Sequence, residues 1–156
     1  MIELDIPGRG TLTIENIAFD YNGTLAVDGV IPWEVKKELL KLKEQLNVFI
    51  LTADTYGTVE EECEDLGVAI KTFPQERAGQ EKRRIIQELG SSTTITVGNG
   101  FNDILMSQES ILSIGVIERE GACGKLITHC DIVVRDIIEV FELLNKTQRI
   151  KATLRN

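Results

Sequence analysis

Asp20, Thr52, Lys82, Asn99, Asn102 and Asp103 are the residues of this chain whose types and spacing suit chemistry. Asp20 ends the apolar run Ile17-Ala18-Phe19, and Thr52-Ala53 ends Val48-Phe49-Ile50-Leu51. Gly98-Asn99-Gly100-Phe101-Asn102-Asp103 ends the run that starts at Thr94. Two carboxylates, two amides, a hydroxyl and an ammonium group make a poor core but suit a hard cation and a phosphate. Magnesium takes oxygen ligands, typically one or two carboxylates with waters and a substrate phosphate. Asp20 and Asp103 supply the carboxylates, and the backbone carbonyl of Asn22 lies within reach. A helix start at Thr52-Ala53 offers a hydroxyl and free amides to a phosphate oxygen. Lys82 can neutralise Asp20 and a phosphoryl group together.

Each residue alone has a plainer reading. Asn22-Gly23 between alternating apolar runs is a hairpin signal, so Phe19–Val27 also fits two strands joined by a type I′ turn. Thr52 alone is an N-cap. Lys82, beside Glu81, Arg83 and Arg84, fits a solvated helix face. The Gly98–Gly100 stretch alone is a turn, and His129 beside Cys130 fits packing near a strand start. The chemical reading rests on three strands ending in the same polar way. In an open parallel sheet, ligands bind outside the carboxyl ends of the strands.

The elements that would hold those ends follow from hydrophobic periodicity. Ile2–Ile6 and Thr11–Ile14 alternate around Pro7-Gly8-Arg9-Gly10, which predicts a β-hairpin whose open edge is a candidate oligomer contact. After the strand Ile17–Tyr21, Pro32 opens a helix with Val35, Leu39, Leu42 and Leu46 inward, reaching about Gln45. The run Val48–Leu51 is a buried strand, and a helix is expected from Asp54-Thr55 with Val59, Cys63 and Leu66 inward and Gly67 as its cap. Val68–Phe73 is a strand stopped by Pro74. Glu76–Leu89 is a helix closed by Gly90, and a short helix starts near Asn102. Ile111–Ile117 and Asp131–Val134 complete the strands, separated by a short helical stretch. Ile137, Val140, Phe141 and Leu144 mark a closing helix, and a basic tail follows from Thr147. This rhythm predicts α/β architecture: a three-layer, Rossmann-like domain with a mostly parallel central sheet. It divides as hairpin 1–15, α/β core 16–146 and tail 147–156.

Composition narrows the partners. The 156 residues suit one domain, and 17 basic against 25 acidic side chains give a net charge of −8. Without a basic stripe, nucleic-acid binding is disfavoured. Three cysteines without a CxxC pair, and a single histidine, draw no zinc site of familiar spacing. Met1–Ile6 does not read as a signal peptide, and no stretch approaches the roughly 20 apolar residues of a membrane span. The expected location is the cytoplasm, with no membrane partner.

The motif Asp-Tyr-Asn-Gly-Thr-Leu at Asp20–Leu25 resembles the first motif of the haloacid dehalogenase superfamily, normally Asp-x-Asp-x-Thr. Thr52 after its apolar strand resembles the second motif and Lys82 the third. Gly-Asn-Gly-Phe-Asn-Asp at Gly98–Asp103 resembles the fourth, normally Gly-Asp-Gly-x-Asn-Asp. The order holds across Ile17–Asp136, and the nearest resemblance is to small soluble proteins like the phosphorylation domain of P-type ATPases. It implies a Mg²⁺-dependent phosphohydrolase in which Asp20 is the nucleophile and forms an aspartyl phosphate. Thr52, Ala53 and Lys82 would hold the phosphoryl oxygens, with the Gly23-Thr24 turn letting the chain approach them. Asp20, Asn22, Asn99 and Asp103 would surround the metal, supported by Asn102. Asn22 stands where family phosphatases carry the acid/base Asp, and Asn99 where an Asp ligates magnesium. The expectation is therefore slow hydrolysis of a phosphate ester or anhydride. The alternative is a degenerate member that binds Mg²⁺, a phosphorylated ligand or a protein partner without turnover. The intervals Leu25–Thr52 and Thr52–Lys82 leave no room for an inserted cap, so the site is open to a small phosphorylated substrate or a phosphoprotein. By analogy with capless sugar-phosphate phosphatases, a homo-oligomer, dimer or tetramer, is expected.

Overall fold

A computed structural model of the chain describes residues 1–53 and 58–156. The expected helix start at Asp54-Thr55 lies outside them. The described chain begins with β1 (Ile2–Ile6) and β2 (Gly10–Ile14), paired antiparallel, so the predicted hairpin forms. The alternating core continues as β3 (Asn16–Asp20), α1 (Trp33–Leu42), β4 (Asn47–Thr52), α2 (Thr58–Cys63), β5 (Ala69–Thr72) and α3 (Ala78–Leu89). It closes with β6 (Thr94–Gly98), α4 (Ile104–Glu109), β7 (Leu112–Val116), α5 (Gly124–Ile127), β8 (Ile132–Val134), α6 (Ile137–Asn145) and α7 (Gln148–Leu154).

The six strands β3–β8 form one wholly parallel sheet in the order β5-β4-β3-β6-β7-β8. The chain winds outward from β3 through β4 to β5, returns to the centre, and winds the other way from β6 to β8. The switch therefore falls between β3 and β6, where a crevice opens at the carboxyl ends of open α/β sheets. Asp20 ends one of these strands and Gly98 the other. Both strands are buried along their whole length, as expected of strands covered on two faces.

Because side chains alternate along β3, Ala18 packs with Leu51, Ile85, Ile86 and Met106 under α3 and α4. Ile17 and Phe19 point the other way, into the larger cluster with Leu39, Val140 and Phe141 from α1 and α6. The Phe19 and Phe141 rings lie 5.9 Å apart. The result is the three-layer arrangement expected from the alternating pattern.

Several boundaries differ from the periodic reading; α2 ends at Cys63, so Gly67 and the buried Leu66 lie beyond it in a turn. Helix α1 stops at Leu42, and Leu46, although buried, sits beyond it in a turn sequence closed by Gln45 and Leu46 amides on the Leu42 carbonyl. The residues after Thr147 form α7 rather than a plain tail, with Ile150 and Leu154 buried in the same core as the hairpin. Their spacing of four places both on one helix face. Pro7 accepts a hydrogen bond from the Asn156 amide at 3.0 Å, tying the last residue to the first turn.

Candidate active site

The β3 end is not a hairpin. After Asp20 the chain coils tightly, with the Tyr21 carbonyl accepting from the Thr24, Leu25 and Ala26 amides at 3.3, 3.1 and 3.0 Å. Gly23 makes this possible at φ 78°, where a side chain is rarely tolerated. A Cβ there would also sit 2.4 Å from Asn99 Nδ2, so the loop after β3 and the loop after β6 touch through a glycine. The coil delivers the buried Thr24 hydroxyl to 3.2 Å from Asp20 Oδ2 and 3.3 Å from Asn99 Oδ1. One hydroxyl proton is shared between these two acceptors.

Lys82 is the centre of the site. Although it lies in a helix rich in surface ion pairs, it is only 2% exposed. Its ammonium donates to Asp20 Oδ1 at 2.7 Å, Asp103 Oδ1 at 2.6 Å and Asn102 Oδ1 at 3.0 Å. All three donor hydrogens are used. The neighbouring Arg84 and Arg83 face outward and pair with Glu81, Glu88 and Glu109, which accounts for the charged appearance of the helix in sequence.

Asp103 is fully enclosed. Its Oδ1 receives Lys82, and its Oδ2 accepts the Asn99 and Gly100 amides at 3.0 and 2.9 Å. Gly98 allows this folding back, because a Cβ there would lie 2.5 Å from the Asp103 carboxyl carbon. Asn99 is tied on its other side to the Gly121 carbonyl, which its Nδ2 reaches at 3.2 Å. An aspartate could not make that bond, since a carboxylate has no hydrogen to donate. Glu120 Oε2 lies 3.1 Å from the same Cβ position at Gly23, so an aspartate would also bring a second negative charge beside Glu120.

Two carboxylates against one ammonium leave an excess negative charge. Burial, and then repulsion by Asp103, push the Asp20 carboxyl up from 3.8 to about 7, against the attraction of Lys82. Burial acts to lower Lys82, but its attraction to Asp20 and Asp103, together with their hydrogen bonds, leaves it raised above its ordinary value. The group is set up to accept a further cation next to Asp20.

A cavity of about 340 Å³ opens at this point, lined by Asp20, Asn22, Thr52, Ala53, Lys82 and Asn99, with Gly100 and Asn102 at its edge. The expected residues therefore meet on one crevice, except that Gly23 and Thr24 stand behind it and Asp103 lies beneath. Sequence reasoning missed Phe73, Gln75 and Ala78, which complete the far wall. They follow β5 and were open to the same argument about carboxyl ends that found Thr52. The Gly121 contact had no signal in sequence. Among the described residues no three His, Cys, Asp or Glu side chains cluster as a metal site. The available donors beside Asp20 are amide and carbonyl oxygens, a set that fits a hard cation completed by water and phosphate. No helix of the described residues is long and apolar enough to cross a membrane.

No protein-family model matches the chain. It is 40% identical over 89 residues to an uncharacterized protein of Methanocaldococcus jannaschii, covering 53% of this chain and 96% of that protein. From the same organism, a soluble P-type ATPase-like phosphatase is 28% identical over 147 residues, covering 92% of this chain; the chain spans about half of that relative, 54%. Among solved structures, the 3-deoxy-D-manno-octulosonate 8-phosphate phosphatase of Moraxella catarrhalis, bound to magnesium and phosphate, superimposes with a TM-score of 0.71. Identity there is 18%, over 91% of this chain and 94% of that one. A Legionella pneumophila protein assigned to subfamily III A of the haloacid dehalogenase superfamily superimposes with a TM-score of 0.68, at 17% identity over 90% and 87% of the two chains. The chain thus shares the fold of haloacid dehalogenase-type hydrolases, with no cap domain over the switch point of its parallel sheet among the described residues.

Proposed function

We propose that the chain is a Mg²⁺-dependent phosphohydrolase that works through a phospho-Asp20 intermediate. The observation that carries this reading is the buried Lys82 joining Asp20 to Asp103 at the floor of the crevice. A carboxylate held by an ammonium at the floor of a cavity with room for a phosphoryl group suits nucleophilic attack on phosphorus. One Asp20 oxygen forms a bond to phosphorus as the bond to the leaving-group oxygen breaks. Lys82 stays beside the equatorial oxygens, where charge develops, and the Thr52 hydroxyl with the Ala53 amide is suited to hold another of them. Water then displaces the carboxylate from phosphorus and releases phosphate.

Asp20, the Asn22 backbone carbonyl and the Asn99 amide oxygen are the proposed holders of the metal. When bound, Mg²⁺ would shield the approaching anions and polarise the phosphoryl group. Asp103, whose two oxygens are taken by three N–H donors, is proposed to hold Lys82 and the Asn99 loop rather than the ion. Asn22 is exposed beside the crevice, but its amide cannot act as a general acid or base, so attack by water on the phosphoenzyme should limit turnover. That substitution also favours a second reading, in which the site binds Mg²⁺ and a phosphorylated ligand without turnover.

The deciding experiment is phosphate release from p-nitrophenyl phosphate with Mg²⁺, beside an Asp20→Asn control, with intact-mass detection of a hydroxylamine-sensitive phosphoenzyme. Release and phosphoenzyme that both vanish in the control support the hydrolase. Ligand binding with neither signal would leave the non-catalytic reading.

A further inference from the structure

We infer that the crevice continues into a second subsite that binds a flat, uncharged aromatic or heteroaromatic leaving group, with Phe101 as its platform. This rests on the phosphate-site reading above. Phe101 is a large aromatic side chain inside the fourth motif, yet it is 67% exposed. Most exposed apolar side chains are isolated and mean little. This one lines a groove of about 440 Å³ that shares Gln75, Ala78 and Asn102 with the crevice over Asp20.

The sharing fixes the occupant. Asn102 sits on the boundary, with its side-chain oxygen on Lys82, so whatever fills the groove lies next to a phosphoryl group on Asp20. The start of α3 forms the facing wall with Ala78 and Gly79. At Gly79 the backbone itself faces Asn102 and Leu105, since a Cβ there would meet the Asn102 carbonyl and Leu105 Cδ1 at an ordinary contact distance of 3.6 Å. The polar groups at the rim are mainly neutral amides, Gln75 and Gln80, which can each donate and accept along the edge of a ring. Among the described residues the one formal charge lining the groove is Glu76, so an anionic group would be repelled. An aromatic face, a backbone-lined wall and amide edges suit a planar neutral ring, and the volume falls in the ordinary range of small-molecule sites.

The test compares benzylphosphonate, which cannot be hydrolysed, with methylphosphonate by calorimetry in Mg²⁺. Both present the same phosphonate, and only the first carries a ring. The wild-type chain should bind benzylphosphonate about ten-fold or more tightly than methylphosphonate, the lower range of what one ring stacked on an aromatic side chain provides. Phe101→Ala should erase that preference while leaving methylphosphonate binding unchanged, and Phe101→Tyr should restore it. Equal binding of the two ligands by the wild type, or a preference that survives Phe101→Ala, would overturn the inference and leave the phosphate site standing. Binding of neither would overturn both. If the phosphonates bind as predicted and no turnover is found, the hydrolase reading fails while the subsite remains. A change of oligomeric state in Phe101→Ala, by sedimentation and without a change in preference, would reassign Phe101 to self-association and overturn the inference.

Discussion

At the scale of single residues, the site depends on how one ammonium is divided between two carboxylates. Removing Lys82 leaves Asp20 and Asp103 buried and facing each other without compensation. Breaking a buried pair in this way costs roughly 3–5 kcal/mol, because the charge left behind is unpaired. Lys82→Met should lower stability by about that amount in urea titration and abolish phosphate release. Adding Asp103→Asn to Lys82→Met should recover part of the stability but none of the activity; recovery of activity would remove Lys82 from the chemistry. Asp20 gives a second prediction at this scale. In the unfolded chain its carboxyl ionises at about 3.8, and in the folded Mg²⁺-free protein at about 7. Below the first value both states are protonated. Between the two the folded state keeps a proton that the unfolded chain has lost, so stability falls as pH rises, and above about 7 the loss is constant. Compared with Asp20→Asn in chelator, the wild type should lose relative stability steadily from about pH 4 to about pH 7. A difference that does not change with pH would contradict the burial of an uncompensated carboxylate.

At the scale of elements, the strands and their succession along the chain were open to reading because apolar runs, turn residues and prolines punctuate this chain clearly, whereas their order in the sheet was not. Lys82 was placed on the correct helix, and its spacing of three and four residues from the buried Ile85 and Ile86 puts it on the inward face; what the sequence could not show is the pair of carboxylates it meets there. The same limit applied to Asp103, which reads as a metal ligand in sequence and folds back onto the Asn99 and Gly100 amides in the structure. Gly121 and Glu120 come from a turn after β7 that carries no motif, so their approach to Asn99 and Gly23 depends on the tertiary fold. The contact between the loops after β3 and β6 supplies a further prediction. Gly23→Ala combines a left-handed φ with a Cβ 2.4 Å from Asn99 Nδ2, so the two loops must separate. We expect a loss of Mg²⁺ affinity measured by calorimetry, with far-UV circular dichroism unchanged. Undiminished affinity would show that Asn99 is not a ligand. By contrast, Asn22→Asp introduces a proton carrier at an exposed position and should speed breakdown of the phosphoenzyme by roughly 10²–10⁴-fold, the usual worth of general acid–base help. An unchanged lifetime in rapid-quench measurements would mean that the missing acid is not what limits turnover.

At the scale of the whole molecule, the two motif-bearing loops meet only because the sheet winds in opposite directions from β3 and β6, and everything that closes the sheet supports that meeting point. This extends to α7, where composition suggested a basic tail and two apolar residues four apart proved decisive. Binding at such a point should report on the whole fold. A ligand that binds only the folded state at about one hundred times its dissociation constant stabilises by about 2.7 kcal/mol. For a domain of this size each kcal/mol raises the melting temperature by roughly 2–4 °C. Saturating Mg²⁺ with phosphate should therefore raise it by roughly 5–10 °C, combining the two estimates. Asp20→Ala should abolish the rise, since among the described residues it removes the one carboxylate that lines the crevice. Ile150→Ala, far from the crevice in the α7 core, should lower the starting temperature while leaving the rise intact, because it costs burial and not ligation. A rise that survives Asp20→Ala would place the cation elsewhere on this acidic surface. A rise lost in Ile150→Ala would mean that the C-terminal helix holds the switch point in shape, and that site and scaffold cannot be treated as separate.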